Sequence, residues 1–165
     1  MEAALDVRFK TIAPPAFRRT QLVAEARAEG FRFLDRILRS IESGEPVFAA
    51  RAAHFIGLSD KNELVAVGGL SHDPYGAPET TGRLRHLYIR PGWRRLGVGG
   101  ALVWELLSRG ERSYDLIRLR TDTVAAAKFY EAIGFRRVKD RDATHEISPS
   151  KRSKALCTQQ AYRIL

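Results

Sequence analysis

The sequence predicts a mixed α/β (α+β) fold: one mostly antiparallel sheet of about six to seven strands, about four flanking helices and one parallel strand pair. Three observations predict it. Short runs of strand character end in Pro, Gly or Asn-Asp punctuation along much of the chain. Several stretches carry Ala, Leu, Glu and Arg at helical spacing and stop at glycine. The order strand, helix, strand, helix between residues 82 and 133 calls for a right-handed crossover, which sets two strands parallel.

Val7 to Ile12 reads as the first strand, stopped by Pro14-Pro15. Phe17 to Glu29 is a helix with Gly30 as its stop. Phe31 to Ile41 is a second helix, where Leu34, Ile37, Leu38 and Ile41 make one apolar face and Ser43-Gly44 ends it. Pro46 to Ile56 and Glu63 to Leu70 read as strands joined through the turn Ser59-Asp60-Lys61-Asn62. A loop holding Pro74, Gly76 and Pro78 leads to a long strand, Gly82 to Arg90. The central helix spans Gly97 to Arg109, with Leu96, Gly100, Val103 and Leu107 on one face and Gly110 closing it. Leu116 to Thr121 is a short strand, and Val124 to Ile133 is a helix stopped by Gly134. Phe135 to Lys139 and Ala155 to Ile164 complete the sheet, separated by a polar loop. No repeat, linker or low-complexity segment divides the chain, so residues 1–165 are expected to form a single domain.

Composition narrows the class. An apolar fraction of 44% and a charged fraction of 28% are ordinary for a soluble globular protein. No apolar run approaches bilayer length, and Met1 to Lys10 has no apolar segment of the kind a secretory signal needs. A cytoplasmic location without a membrane partner is therefore expected. Cys157 is the only cysteine and reads as a small buried hydrophobe of the last strand. His54, His72, His86 and His145 are not paired at ligand spacing with one another or with cysteine, so no metal is expected. The net charge of +9 favours anionic partners in general. The basic residues are dispersed, however, and only Lys151-Arg152-Ser153-Lys154 is compact. No helix-turn-helix, zinc finger or aromatic ribonucleoprotein motif is present, which argues against a nucleic-acid-binding module.

The most informative stretch is Arg94-Arg95-Leu96-Gly97-Val98-Gly99-Gly100. It lies between an apolar strand cut off by Pro91-Gly92 and the start of a helix. The first amides of a helix have no intrahelical acceptor, and the macrodipole makes that end positive. Glycines let an anion approach those amides, and arginines add charge. A phosphate or pyrophosphate is the ligand this pattern suits, although plain helix entry uses the same residues. The pattern is neither a P-loop nor the dinucleotide fingerprint, because no Gly-Lys-Ser/Thr follows and the glycine register differs.

Two motifs in this arrangement resemble the GNAT superfamily of acetyl-CoA-dependent N-acetyltransferases. His86-Leu87-Tyr88-Ile89-Arg90-Pro91-Gly92-Trp93-Arg94-Arg95-Leu96-Gly97-Val98-Gly99 is similar to that family's strand and Arg/Gln-x-x-Gly-x-Gly/Ala pyrophosphate loop. Thr123-Val124-Ala125-Ala126-Ala127-Lys128-Phe129-Tyr130-Glu131-Ala132-Ile133-Gly134-Phe135 is similar to its downstream Asn-x-x-Ala-x-x-Phe-Tyr-x-x-x-Gly-Phe pattern. The resemblance implies that acetyl-CoA is a co-substrate held by Leu87, Tyr88, Ile89, Arg94, Arg95, Leu96, Gly97, Val98, Gly99, Gly100, Thr123, Ala126 and Tyr130. It also implies that backbone groups of Leu87 to Ile89 bind the pantetheine arm and that this strand splays from the next. Two features depart from the family. Thr123 stands where Asn is common, and Arg83 or a neighbour stands early in the long strand where some members carry a glutamate base, with no carboxylate from Leu84 to Arg95.

Acetyl transfer to an amine needs a proton donor for the thiolate and an acceptor for the amine proton. Tyr130 is the expected donor, since a phenol titrating near ~10 stays protonated at neutral pH while a thiol titrates near ~8.5. Phe129, Tyr130 and Ile133 equally suit a packing face. His86, with an ordinary pKa near ~6.5, is the first candidate for the base; His72, His145 and ordered water are alternatives. The expected function is transfer of an acetyl group to a primary amine of a small molecule in a ternary complex. Protein N-terminal or lysine acetylation is the second reading, and acyl-CoA binding without catalysis a third. The terminal strand offers an edge through which a homodimer can form.

Overall fold

The computed structural model describes residues 7–149, apart from 13, 45–47 and 49. The expected strand from Ala155 to Ile164, Cys157 within it and the Lys151 to Lys154 cluster lie outside the described residues.

The chain opens with β1 (Val7–Thr11), α1 (Pro14–Phe17), α2 (Gln21–Ala28) and α3 (Phe33–Glu42). The single helix expected over Phe17 to Glu29 is thus broken. Thr20 takes an extended conformation before α2, and its hydroxyl donates to the Phe17 carbonyl at 2.8 Å, which stops α1. β2 (His54–Asp60) and β3 (Glu63–His72) form a hairpin. Its loop is two residues, Lys61 and Asn62, both at positive φ, as the twist of paired strands favours. Of the strand expected over Pro46 to Ile56, the described residues are in strand from His54 onward, and Ala53 N–H turns back to the Ala50 carbonyl before it; residues 46, 47 and 49 lie outside the described residues. β4 (Thr81–Ile89), a 3₁₀ turn (Pro91–Trp93) and α4 (Val98–Gly110) follow, then β5 (Leu116–Leu119), α5 (Val124–Ile133), β6 (Arg136–Arg137) and β7 (His145–Ile147).

The strands form one sheet of order β1-β2-β3-β4-β5-β7-β6. Among the described residues only β4 and β5 pair in parallel. β7 lies within the stretch expected to be a polar loop. His145-Glu146-Ile147 alternates too weakly for the eye, yet Ile117↔Ile147 and Leu119↔His145 pairing buries all three residues.

Two apolar cores sandwich the sheet. On one face α4 and α5 bury Leu102, Val103, Leu106, Tyr130 and Ile133 against Ile56, Leu84, Ile117 and Leu119. On the other, α2 and α3 bury Leu22, Val23, Leu34 and Ile37 against Phe55, Val67 and Tyr88. The strand ends are tied by charge as well. Arg90, buried at the end of β4, donates to Glu25 of α2 at 2.7 and 2.8 Å and to Glu63 of β3 at 2.5 Å. That fixes the exit of β4 into the glycine-rich turn. Leu96, expected on the buried face of the central helix, is instead 46% exposed, because α4 starts only at Val98.

Candidate active site

The parallel pair is in register only from Thr81↔Leu116 to Arg83↔Arg118. β4 runs six residues further, to Ile89, whereas β5 ends at Leu119. The two strands therefore part, and a cleft of about 1120 Å³ opens between them. Leu84, Arg85, His86 and Leu87 line one wall; Leu119, Thr121, Asp122 and Thr123 line the other. Phe31, Phe33, Arg36 and Ile37 close one end, and Tyr130 and Ala126 reach in from α5.

The long strand is not regular. Gly69 pairs with Arg85 but Val67 pairs with Tyr88, so β4 spends one residue more than β3 over this interval. The extra residue is accommodated at His86, which has φ +61°. This is a β-bulge, a feature that re-aims side chains beside a site. Simple alternation would put Leu84 and Leu87 on opposite faces; with the bulge both face the α4 core. His86 and Tyr88 do share a face, with Phe33 6.2 Å from the His86 ring and 6.5 Å from the Tyr88 ring.

At the far end of β4 the chain turns into α4. Gly97 caps the helix with φ +81°, a left-handed conformation that glycine takes at no steric cost. The first intrahelical bond runs from Ala101 N–H to the Gly97 carbonyl at 3.0 Å, which leaves the amides of Val98, Gly99 and Gly100 without helical acceptors. A β-carbon on Gly100 would meet no protein atom within 4 Å. Gly100 is therefore open to approach while Val98 and Gly99 are buried, and amides without helical acceptors beside an open glycine suit a phosphate or pyrophosphate. A second, smaller pocket of about 180 Å³ adjoins it between α4 and α5, lined by Gly97, Gly100, Trp104 and Phe129 among others.

Other expected cofactor residues are placed as follows. The Leu87, Tyr88 and Ile89 backbone lies on the part of β4 beyond its pairing with β5. Arg94 turns toward α2: it donates to the Ile89 carbonyl at 2.9 Å and pairs with Glu29 at 2.6 Å. Arg95 is exposed at φ +65°. Thr123 caps α5, its hydroxyl accepting from Ala126 N–H at 3.2 Å. That bond helps set the entry of α5, which in turn places Tyr130.

Tyr130 is 9% exposed and stands edge-on to Phe129 and Phe135, with ring centroids 5.1 and 5.5 Å away. Burial pushes its phenol well above the ordinary range, so it holds its proton. His86 is affected in the opposite sense. Burial first, then the Arg85 and Arg36 charges, lower its pKa to about 3, leaving a neutral ring and a weak base. His72 is exposed at the end of β3. His145 is buried on β7, with ring nitrogens 2.9 Å from the Thr144 hydroxyl and 3.2 Å from Glu131. Neither His72 nor His145 lines the cleft. Among the described residues no cluster of His, Cys, Asp and Glu is arranged to hold a metal, and no helix is long and apolar enough to cross a membrane.

The sequence marked Arg83 only as standing where some relatives carry a glutamate base, and it did not single out Arg85 as a cleft residue. Arg83 is buried, pairs with fully buried Asp73 at 3.2 Å, and donates to the Asp142 carbonyl at 2.8 Å. Its guanidinium lies 4.5 Å from the Tyr75 ring centroid. Arg85 donates to the Ser71 hydroxyl at 2.9 Å. Their position two apart on a strand is the one signal that could have found them.

Comparison with known proteins agrees with this geometry. The family model described as acetyltransferase (GNAT) family matches residues 18–135. Over 95 residues the chain is 27% identical to N-alpha-acetyltransferase RimI of Mycobacterium tuberculosis, covering 58% of this chain and 60% of that relative. The match thus spans less than two thirds of that relative's length. The crystal structure of a proposed acetyltransferase from Exiguobacterium sp. 255-15 superposes with a TM-score of 0.75 at 27% identity, covering 88% of this chain and 95% of that one. The fold is also shared with yncA of Salmonella typhimurium, whose structure includes its cofactor acetyl-CoA, at a TM-score of 0.64, 10% identity and coverage of 89% and 96%. The chain belongs to the GNAT family of acetyltransferases, a family of acyltransferases.

Proposed function

We propose that this protein transfers the acetyl group of acetyl-CoA to a primary amine of a small molecule, in one step within a ternary complex. One observation carries the reading: the stretch of β4 beyond its pairing with β5 leads from the cleft holding Tyr130 to the amides of Val98, Gly99 and Gly100, which lack helical acceptors. A pantetheine arm can lie along the former while the pyrophosphate sits on the latter.

Acetyl-CoA supplies a thioester, whose carbonyl carbon is attacked by the amine nitrogen. The N–C bond forms, the C–S bond breaks, and the amine proton is lost as the sulfur gains one. An amide of the bulged segment near His86 is suited to polarise the thioester oxygen, as backbone donors do in oxyanion holes. The Tyr130 hydroxyl, kept protonated by burial, donates a hydrogen bond to the departing sulfur. The neutral His86 ring is too weak a base to draw a proton from an amine unaided, so water in the open cleft takes that proton and His86 orients the amine. The test is calorimetry with acetyl-CoA followed by mass spectrometry of products from an amine panel. Binding plus acetylated small amines supports the reading; a folded protein that binds no acetyl-CoA contradicts it.

The likeness to RimI favours a second reading, acetylation of a protein N-terminus. A peptide panel run beside the amine panel separates the two by kcat/KM.

A further inference from the structure

The cleft has more positive charge than its described carboxylates neutralise. Arg83, Arg85 and Arg36 all line it. The nearest carboxylate, Asp73, is already committed: Oδ2 accepts from Arg83 at 3.2 Å and Oδ1 accepts from the Tyr75 amide at 2.9 Å. Asp122, across the cleft, is 86% exposed and lies 3.7 Å from Arg120.

Arg85 is left with one recorded partner, the neutral Ser71 hydroxyl, and its Nε is buried without a hydrogen bond. Such an orphan donor on a charged group is costly unless something meets it. Burial and the neighbouring Arg83 lower the pKa of the Arg85 guanidinium, and Tyr75 and Asp73 offset this only in part. Arg36 reaches the same space from α3 and forms no ion pair among the described residues. Phe31, Phe33 and Tyr75 add an apolar rim.

We infer that the acceptor amine carries a carboxylate, which Arg85 and Arg36 hold while the amine faces the thioester. The inference rests on the acetyl-transfer reading and narrows it: amino carboxylates are substrates, whereas polyamines and other cationic amines are excluded by the same charges. The transfer is the one balanced above; the carboxylate takes no part in bond making. Arg83 acts as a positioning residue, since its own charge is spent on Asp73.

The test compares kcat/KM with acetyl-CoA for amino carboxylates and for the matched amines lacking the carboxylate, such as phenylalanine against phenethylamine, with spermidine and an acidic peptide as further arms. The carboxylates should be preferred about tenfold or more, as charge-assisted hydrogen bonds warrant. Arg85→Gln should erase most of that preference while leaving acetyl-CoA affinity unchanged. Arg36→Gln, at an exposed site that tolerates change, should reduce the preference without affecting the fold. Equal rates for matched pairs, a preference for spermidine, or a preference that survives both variants would overturn the inference while acetyl-CoA binding still stood. Preference for the acidic peptide over the free amino carboxylate would keep the anion site and assign its source to a polypeptide. Loss of acetyl-CoA binding itself would instead remove the reading beneath both.

Discussion

A β-carbon placed on Gly99 would stand 3.2 Å from the ring of Phe129. The start of α4 is thus pressed against α5, while one residue later Gly100 faces open space. The two glycines should therefore respond differently. Gly99→Val should cost about 1–3 kcal/mol of stability through overpacking. Gly100→Val should cost less than about 1 kcal/mol, yet weaken acetyl-CoA binding about tenfold or more by blocking the amides. Chemical denaturation and calorimetry on both variants check the contrast. Equal effects on stability with unchanged affinity would refute it.

Tyr130→Phe removes a hydroxyl and keeps the ring that packs on Phe129 and Phe135. Turnover should fall about a hundredfold, within the range of general acid catalysis, with acetyl-CoA affinity nearly unchanged. Steady-state kinetics beside calorimetry measures this, and wild-type turnover would take Tyr130 out of the mechanism.

Much of this was legible before the structure. The helix from Val124 to Ile133 has the bounds expected, with Gly134 stopping it as read, because its Thr123 cap and its Gly134 turn are local devices. The parallel pair between residues 82 and 121 was equally clear, since strand, helix, strand order constrains handedness. What escaped was set by partners distant in sequence. β7 exists because Ile117 and Leu119 offer an edge to His145 and Ile147, not because its own three residues favour a strand. The bulge at His86 is recorded only in the register with β3. The cationic end of the cleft depends on which arginine Asp73 takes. No spacing along the chain tells that Asp73 pairs with Arg83 and leaves Arg85 unneutralised.

The Arg83–Asp73 pair is buried on both sides, so breaking it should be costly. Asp73→Ala leaves an uncompensated guanidinium and should destabilise the protein by about 3–5 kcal/mol. Replacing both, as Asp73→Leu with Arg83→Met, should recover a large part of that loss. Urea denaturation of the single and double variants supplies the comparison; a double variant as unstable as the single one would refute the argument.

His86 sets a pH dependence. Its folded pKa is about 3, below the ordinary ~6.5 of an unfolded histidine, so the unfolded state binds the extra proton first. The stabilisation from this group is present above pH ~6.5 and is lost as pH falls toward 3, at up to about 1.4 kcal/mol per pH unit. His86→Gln should flatten stability over that window. The acidic limb of kcat/KM near neutrality should remain in the same variant, because a ring that titrates near 3 does not produce it. Disappearance of that limb would restore His86 as the base.

Acetyl-CoA binding rests on the first amides of α4, which hold the diphosphate if acetyl transfer is the function. Calorimetric titration of the folded wild-type protein and of Gly100→Val with acetyl-CoA tests this most directly. Saturable one-to-one binding to the wild type, weakened about tenfold or more in a variant that loses less than about 1 kcal/mol of stability, is the predicted result. No binding to the wild type, or identical affinity in both, would contradict it.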